Sequence, residues 1–290
     1  MKHRLSVIGA MTIFGTIGIF RKFIDLPSSG LAVARGLIGA AFLLALILLL
    51  GKKLDKAAIK SNLWLLLISG GCIGINWMLL FESYRYTTVA TATLCYYLAP
   101  VFVVFLSPLV LKERLRPVKI VCALAAVVGM IFVSGVFEGG LDMTRLPGIL
   151  FGLGAAAFYA TVILLNKKMK PIGAMDCTVV QLAAAALVLL PYTLLTENYA
   201  AVSLGTVGIL LLIAVGILHT GVAYALYFGS VHALPAQTVA IFSYIDPVVA
   251  ILLSALFLQE PMSLWGWLGA VLILGSTLLS ELLSNKKHLE

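Results

Sequence analysis

Ten apolar segments separated by short polar connections dominate this sequence and limit what it can fold into. They lie at about residues 5–24, 30–50, 63–83, 88–110, 117–136, 147–166, 173–195, 205–228, 234–258 and 263–283. Each is close to the ~20 residues that a helix needs to cross the hydrocarbon core of a bilayer. The segments are too long for the strands of an outer-membrane barrel, and they lack the alternation of such strands. We therefore predict an all-helical integral membrane protein with ten transmembrane helices.

The charge distribution predicts the orientation of these helices. With the N-terminus in the cytoplasm, cytoplasmic segments hold fifteen of the lysines and arginines, whereas external segments hold four. Such an excess follows the positive-inside rule, so both termini are predicted to be cytoplasmic. The net charge of +8 is thereby explained without nucleic acid. Hydrophobic residues make up 62% of the chain and charged residues 11%, a composition that excludes a soluble domain and makes the lipid bilayer the expected surroundings.

The chain also contains an internal repeat. When Gly74–Glu113 is aligned without a gap on Gly221–Glu260, 147 residues further on, thirteen of the forty positions are identical. The matches include Gly, Ser, Thr, Tyr, Pro and Glu, which an apolar composition alone does not explain. Each half holds five predicted helices, so the second copy is inverted in the membrane. We predict two inverted five-helix repeats, residues 1–138 and 145–290, within one membrane domain, an arrangement typical of secondary transporters.

Several stretches of both repeats, together with Arg35 early in helix 2, carry a family resemblance. They are Tyr84–Ala92, Tyr97–Phe102 and Leu111–Leu115 in the first repeat, and Ser243–Val248 and Leu258–Glu260 in the second. In this ten-helix layout they resemble the EamA branch of the drug/metabolite transporter superfamily. One departure is Asp246, where members often have Glu. Members move amino acids, other metabolites, drugs or quaternary amines, so the resemblance implies a transporter of a small molecule.

Ionisable residues inside the predicted helices are the first candidates for function, because each costs ~2.5 to 3.5 kcal/mol to insert at a helix centre. Asp246 lies near the middle of helix 9, before Pro247, which has no backbone N–H and so frees a carbonyl one turn earlier. This carboxylate is a candidate site for a cation, an amine or a proton; the alternative is a structural role. His219 lies at similar depth in helix 8. If it reaches Asp246, the two form a proton relay; otherwise it is a neutral, hydrogen-bonded residue of the bundle.

Arg35 is a further charged residue within a predicted helix, about five residues into helix 2. Glu82 ends helix 3 on the same face, so an ion pair between the two is one expectation, with a snorkelling arginine as a variant of it. The other is that the planar guanidinium binds the carboxylate of a substrate. Gln181 occupies nearly the equivalent position in helix 7, so the two halves are expected to differ in what they bind.

Aromatic residues of both repeats form the predicted lining of a central cavity. Tyr97 and Tyr244 are matched in the alignment and lie one turn before Pro100 and Pro247, which are the predicted hinges. Inverted symmetry brings the matched residues to one central region, where aromatic faces with a few polar tips suit a small amphipathic solute. Ordinary bundle packing is the alternative. The predicted lining is Trp77, Asn76, Tyr96, Tyr97, Tyr224 and Tyr244.

We therefore expect a multi-pass secondary transporter of a bacterial inner (plasma) membrane. We expect it to move amino acids or related metabolites by alternating access, with protons as the candidate coupling ion, and the resemblance implies that the direction is export. An importer of a quaternary amine such as choline is the first alternative, because Trp77, Tyr97, Tyr224 and Tyr244 are suited to cation–π attraction. A membrane receptor or scaffold without transport is the second. The sequence has no Walker, zinc-protease or nucleophile-elbow motif, so we expect no enzyme, cofactor or metal site.

Overall fold

Fourteen α-helices, grouped into ten spans, make up most of the part of the chain that the structure describes. The structure, a computed structural model, describes residues 2–112, 117–138, 142–199, 202, 204–230, 233–234 and 236–286. The helices are α1 (Lys2–Gly15), α2 (Ile17–Lys22), α3 (Ser28–Leu49), α4 (Lys56–Tyr86), α5 (Val89–Tyr96), α6 (Ala99–Leu111), α7 (Pro117–Val133), α8 (Leu146–Lys168), α9 (Ala174–Thr196), α10 (Thr206–Ala214), α11 (Ala223–Phe228), α12 (Ala236–Ser243), α13 (Ile245–Phe257) and α14 (Leu264–Lys286). A 3₁₀ turn, Val136–Glu138, follows α7, and a π-helical segment, Val215–Val222, joins α10 to α11.

Several spans consist of more than one helix. Among the described residues, nine helical stretches are long and apolar enough to cross a membrane. Span 1 combines α1 and α2, span 4 combines α5 and α6, and span 8 combines α10, the π segment and α11. Span 9 is not among these nine because its helices are short. It consists of α12 and α13, which are separated by a break at Tyr244. The predicted all-helical, ten-span fold is confirmed, since the described residues have no strand and each predicted segment coincides with a span.

Spans 4 and 9 are broken at positions that the repeat alignment matches. The α-helix is interrupted at Tyr97 and Leu98 in span 4 and at Tyr244 in span 9. Pro100 and Pro247 follow within the first turn of α6 and α13, where a missing N–H costs no intrahelical bond. The breaks therefore lie just before the prolines that the sequence marked as hinges.

Helix α4 begins at Lys56, seven residues before the predicted apolar segment 63–83, so part of the connection 51–62 is helical. The Asp55 side chain accepts a hydrogen bond from the Ala58 N–H at 2.9 Å and caps the helix. One turn further on, Asn62 is 2% exposed and its amide is paired with the backbone of Lys170 through bonds of 2.8 and 3.2 Å. These contacts extend α4 to 31 residues.

Small residues let the spans of the two halves approach closely. A Cβ added to Gly70 would lie 2.6 Å from the carbonyl oxygen of Gln181, and one added to Gly74 would lie 2.7 Å from that of Ala185. The spacing of these glycines is typical of helix contact in lipid, and here it presses α4 onto α9 within one chain. Span 5 packs on span 10 in the same way, through Gly129 of α7 and the α14 backbone.

The two broken spans contact each other at only one of their ends among the described residues. Helix α5 packs on α13, whereas α6 and α12, the other halves of the same spans, form no comparable interface. Instead α6 packs on α7 and α8, and α12 packs on α1 and α14. We call the end where α2, α5 and α13 meet the closed end, because broken helices of both halves pack together there, and the end between α6 and α12 the open end, because these two helices form no comparable interface. The breaks in both spans lie between these ends.

Candidate functional site

Arg35 connects three spans near the centre of the bundle. It lies on α3, is 5% exposed, and places its guanidinium carbon 4.0 Å from the ring centroid of Trp77 on α4. Its Nε donates a hydrogen bond of 2.8 Å to the hydroxyl of Thr220 in the π segment. Of the described carboxylates, none is within ion-pair distance of Arg35. A buried guanidinium is thus held by an aromatic face and a hydroxyl, without an ion pair to a described carboxylate.

The expected ion pair between Arg35 and Glu82 does not form. The Glu82 carboxylate instead accepts hydrogen bonds from Arg85 at 2.9 Å, three residues later on α4, and from Ser28 at 2.6 Å. The i, i+3 spacing places Arg85 beside Glu82 at the end of the helix, while the rotation of α3 directs Arg35 toward Trp77. The predicted ion pair is therefore wrong, and contact between Arg35 and a substrate stays a prediction.

The local backbone explains why Arg35 meets Thr220. Gly39, one turn after Arg35, lies directly against the Thr220 side chain, so α3 approaches the π segment without an intervening side chain. A π segment widens the helix and is frequent at functional sites, and here it directs His219 and Thr220 into the bundle. Both are completely buried.

Asp246 lies at the break of span 9 and contacts the break of span 4. Its Oδ2 accepts a hydrogen bond of 2.9 Å from the Tyr97 hydroxyl, which is also 3.3 Å from the carbonyl oxygen of Ser243. The carboxyl group is partly exposed and close enough to Arg35 for a coulombic interaction between the two charges. On the other side, Gly15 of α1 abuts the Asp246 backbone, where an added Cβ would lie 2.6 Å from its carbonyl oxygen. The acid therefore faces the centre with its backbone held by span 1.

His219 does not form the suggested relay with Asp246. Its Nε2 lies 2.7 Å from the hydroxyl of Thr16, which also lies 2.7 Å from the Ile13 carbonyl. Because the hydroxyl has one proton and the carbonyl can only accept, we assign the proton of this contact to His219 Nε2. The ring also packs edge-on against Phe20 at a centroid distance of 4.7 Å. His219 thus holds span 1 on span 8.

A row of tyrosines runs across the centre from span 6 to span 9. Tyr159 of α8 stacks on Tyr96 at 5.3 Å between ring centroids, Tyr96 lies 6.1 Å from Tyr97, and Tyr97 lies 6.2 Å from Tyr244. Tyr159 is 40% exposed, and the other three are partly exposed. Tyr224, the remaining predicted tyrosine, packs on Phe14 and is close enough to Arg35 to interact with its charge.

Two residues predicted to line the cavity are packed between helices. Asn76 is 2% exposed, and its amide donates a hydrogen bond of 2.6 Å to the carbonyl of Ala155, so it joins α4 to α8. Trp77 is 5% exposed, and the Arg35 guanidinium covers its ring face. Both positions have the same explanation. Neighbouring residues on a helix point in directions about 100° apart, and an apolar sequence does not specify which of them faces the centre.

Two residues near this centre were missed. Tyr159 carries no signal in the repeat alignment, because its counterpart 147 residues earlier is Thr12. Glu281 is exposed near the end of α14 and interacts electrostatically with Tyr159, Tyr227 and Tyr244. Its signal was an acidic residue among apolar neighbours in the last predicted helix.

At the closed end, Glu260 joins three helices. Its Oε1 lies 3.2 Å from Nζ of Lys22 on α2, and its Oε2 accepts hydrogen bonds from the Val89 N–H of α5 at 2.9 Å and from Ser254 of α13 at 2.6 Å. We call this group the Glu260 latch. Glu260 thus forms an ion pair with Lys22, and it also accepts a hydrogen bond at the N-terminus of α5, a helix of the other half. Its counterpart Glu113 lies outside the described residues.

Removing the charge of Glu260 is expected to loosen the closed end. In Glu260→Gln the bonds to Lys22 and Val89 weaken together, and a loss of ~1.4 kcal/mol corresponds to a tenfold greater population of the opened latch. A cysteine at position 89, in a chain with its four native cysteines replaced, should then react about tenfold faster with a membrane-impermeant maleimide. Glu138→Gln, an exposed carboxyl group outside the latch, is the control. Equal reaction rates in all three proteins would contradict the latch.

The helical membrane fold, the discontinuous spans and the buried charges together define a polytopic membrane transport protein. Residues 2–135 and 146–282 match the EamA-like transporter family, so the chain belongs to that family. It is a multi-pass membrane transporter and not an enzyme.

Individual relatives agree with this assignment. The chain is 31% identical over 271 residues to the uncharacterized transporter YxxF of Bacillus subtilis, covering 93% of this chain and 86% of that protein. It is 29% identical over 254 residues to protein PecM of Dickeya dadantii, covering 84% and 82% of the two chains. A solved crystal structure with 22% sequence identity superimposes with a TM-score of 0.68 over 99% of this chain and 98% of its own, and shares the fold.

Proposed function

We propose that this protein is a secondary carrier that moves a small zwitterionic metabolite, an amino acid or a close relative, by alternating access. The observation that supports this proposal is the pair of opposite charges at the centre, Arg35 on α3 and Asp246 on α13. They lie close enough to interact but do not form an ion pair with each other. A substrate carboxylate would pair with the guanidinium, and a substrate ammonium would pair with the carboxylate.

The aromatic row supplies the rest of such a site. Tyr96, Tyr97 and Tyr159 lie together around Asp246, each close enough to interact with its charge. Partly exposed tyrosine faces bind the apolar side chain of a solute, and their hydroxyl groups bind polar atoms. Binding energy would thus come from charge at the substrate's backbone groups and from aromatic contact with its side chain.

A quaternary amine fits this arrangement less well. The face of Trp77, the best ring for cation–π binding, is already covered by the Arg35 guanidinium. The same positive charge repels a second cation, whereas it attracts the carboxylate of an amino acid.

The proposed orientation follows from the charge distribution, and the proposed outward direction is what the family resemblance implies. We assign residues 1–138 and 145–290 to two inverted repeats, with both termini in the cytoplasm of a bacterium and the protein in its inner membrane. The closed end with the Glu260 latch then faces outward, and the open end between α6 and α12 faces the cytoplasm. In this state the site would load substrate from the cytoplasm, as an exporter requires.

Proton coupling would follow from competition at Asp246. The carboxylate holds either a proton or the ammonium group of the substrate, so a proton entering from outside displaces the substrate, and substrate entering from the cytoplasm displaces the proton. Because a proton enters each time a substrate molecule leaves, the proton gradient would drive export of the substrate. His219 takes no part in this scheme, because its Nε2 is occupied by Thr16.

Flux in proteoliposomes tests the proposal. Amino acids, their decarboxylated amines, choline and a lipophilic cation are compared by counterflow with and without a pH gradient. Saturable counterflow of amino acids, accelerated by the gradient, is the expected result. Saturable transport of choline alone would replace the proposal with an amine carrier. Absence of flux in all classes, in protein shown to be folded, would favour a receptor or scaffold.

A further inference from the structure

The Tyr97 hydroxyl has one proton and two acceptors within reach. Asp246 Oδ2 is 2.9 Å away, and the carbonyl oxygen of Ser243 is 3.3 Å away. A hydroxyl can donate one hydrogen bond at a time, while its oxygen can still accept. Tyr97 can therefore donate its hydrogen bond to either of two acceptors, and both belong to span 9.

The Ser243 carbonyl is available because of Pro247. In a continuous α-helix the N–H of residue 247 would bond to the carbonyl of residue 243, but proline has no N–H. The carbonyl also ends α12, directly before the break at Tyr244. Inside a membrane, where water does not supply a donor, such a carbonyl needs a partner from another helix. Tyr97, at the break of span 4, is that partner.

The choice depends on the charge of Asp246. An ionised carboxylate is the stronger acceptor and takes the Tyr97 proton. A protonated carboxyl group instead has an O–H of its own, which can donate to the Tyr97 oxygen. The Tyr97 proton is then released to the Ser243 carbonyl. No covalent bond to Tyr97 breaks in either arrangement, and the added proton remains on Asp246.

The other groups around Asp246 do not offer this choice. Arg35, Tyr84, Tyr96 and Tyr159 are close enough to interact with its charge, and they face it from α3, α4, α5 and α8. Of the described side chains, Tyr97 is the one hydrogen-bonded to the Asp246 carboxyl group. From span 1 the contact is made by Gly15, which has no side chain to titrate. Arg35 interacts with Asp246 through its charge, whereas Tyr97 interacts with it through a hydrogen bond whose donor can change.

We propose that Tyr97 transmits the protonation state of Asp246 to the break in span 9, by donating to Asp246 when it is ionised and to the Ser243 carbonyl when it is protonated. The second arrangement ties the end of α12 to span 4, whereas the first leaves that carbonyl without the Tyr97 donor. Protonation would thereby change how firmly the two broken spans are joined. The inference rests on the proposed proton coupling. In that scheme Tyr97 is a positioning residue that links Asp246 to the Ser243 carbonyl.

The repeat alignment shows that the switch has no equivalent in the symmetry-related position. Tyr97 and Pro247 have the counterparts Tyr244 and Pro100, but the counterpart of Asp246 is Ala99. The arrangement of Tyr244 with residues 99 and 100 thus has the tyrosine and the proline without the acid. One ionisable switch per chain is consistent with one proton exchanged per transport cycle.

The test measures the separation of α6 and α12 as a function of pH. Spin labels are attached at Leu109 and Ile241, which are 79% and 48% exposed, after the four native cysteines are replaced. Double electron–electron resonance in liposomes is recorded at about pH 6 and about pH 8, where we expect the ratio of two distance populations to change about tenfold. In Tyr97→Phe that change should fall to less than about twofold. Tyr192→Phe removes an exposed tyrosine hydroxyl from α9 and should keep the full change.

Asp246→Asn separates failure of this inference from failure of proton coupling itself. If Asp246→Asn loses the pH response and Tyr97→Phe keeps it, the switch is wrong and the coupling stands. If Asp246→Asn also keeps the response, both are wrong. Pro247→Ala provides a second route if Tyr97→Phe does not fold, because it restores the N–H for the Ser243 carbonyl and should also suppress the response. A full response in Pro247→Ala would overturn the proposal.

Discussion

Replacing Asp246 with asparagine is expected to remove the acceleration of transport by a pH gradient. Asparagine keeps the size of the side chain and can still accept the hydrogen bond from Tyr97, but it cannot take up a proton or carry a negative charge. In proteoliposomes the ratio of fluxes with and without the gradient should fall to about 1, while slow exchange of substrate continues. Because the substrate ammonium also loses its partner, KM should rise about tenfold or more.

The matched control is Asp142→Asn, which changes an exposed aspartate between α7 and α8 and should leave both quantities unchanged. The pH dependence is as informative as the gradient. In the wild type, protons compete with the substrate at Asp246, so KM should rise as the pH falls. In Asp246→Asn, KM should not depend on pH. A gradient response of wild-type size in the folded variant would show that protons are bound elsewhere.

Replacing Arg35 with glutamine is expected to reduce transport of carboxylate-bearing substrates by about a hundredfold, since a charged hydrogen-bonded pair in a dry site contributes ~2 to 3 kcal/mol. Arg35→Lys should not restore it. The guanidinium both stacks on Trp77 and donates a hydrogen bond to Thr220. A lysine ammonium on a flexible stem has no planar face, so it cannot stack on the Trp77 ring. Initial rates and KM for an amino acid measure the loss.

A comparison of two substrates distinguishes lost recognition from a damaged fold. Arg35→Gln should reduce transport of an amino acid far more than transport of its decarboxylated amine, so the ratio of kcat/KM values changes. A structural defect would reduce both alike. Arg145→Gln, at an exposed position before α8, is the control for loss of an arginine. An unchanged ratio in Arg35→Gln would exclude contact between Arg35 and the substrate carboxylate.

The sequence predicts the spans and the neighbourhood of the helix breaks, because both depend on local properties. Segment length and hydropathy specify where a helix crosses the bilayer, and proline interrupts the backbone near its own position. The repeat alignment then places Tyr97 and Tyr244 at equivalent breaks. For the same reason Asp246, next to one of those prolines, could be singled out before any contact was known.

The partners of the buried polar residues could not be predicted in this way. Arg35 was expected beside Glu82 but lies on Trp77, and His219 bonds to Thr16 on the first span rather than to Asp246. A transmembrane helix is apolar on most of its circumference, so its sequence does not specify its rotation. Which residue meets which depends on small-residue contacts such as that between Gly39 and Thr220, which act between distant parts of the chain.

The π segment of span 8 has a kinetic consequence. Its counterpart in the first half, α4, is an ordinary α-helix at the aligned positions, so the two halves are not related by an accurate twofold operation there. Under the proposed alternating access, the outward-facing site is then not the twofold equivalent of the inward-facing one. We expect the substrate to have different dissociation constants on the two faces. Because the transport cycle must balance at equilibrium, the empty and the loaded carrier are expected to distribute differently between the two sides, even when no gradient acts on the protein.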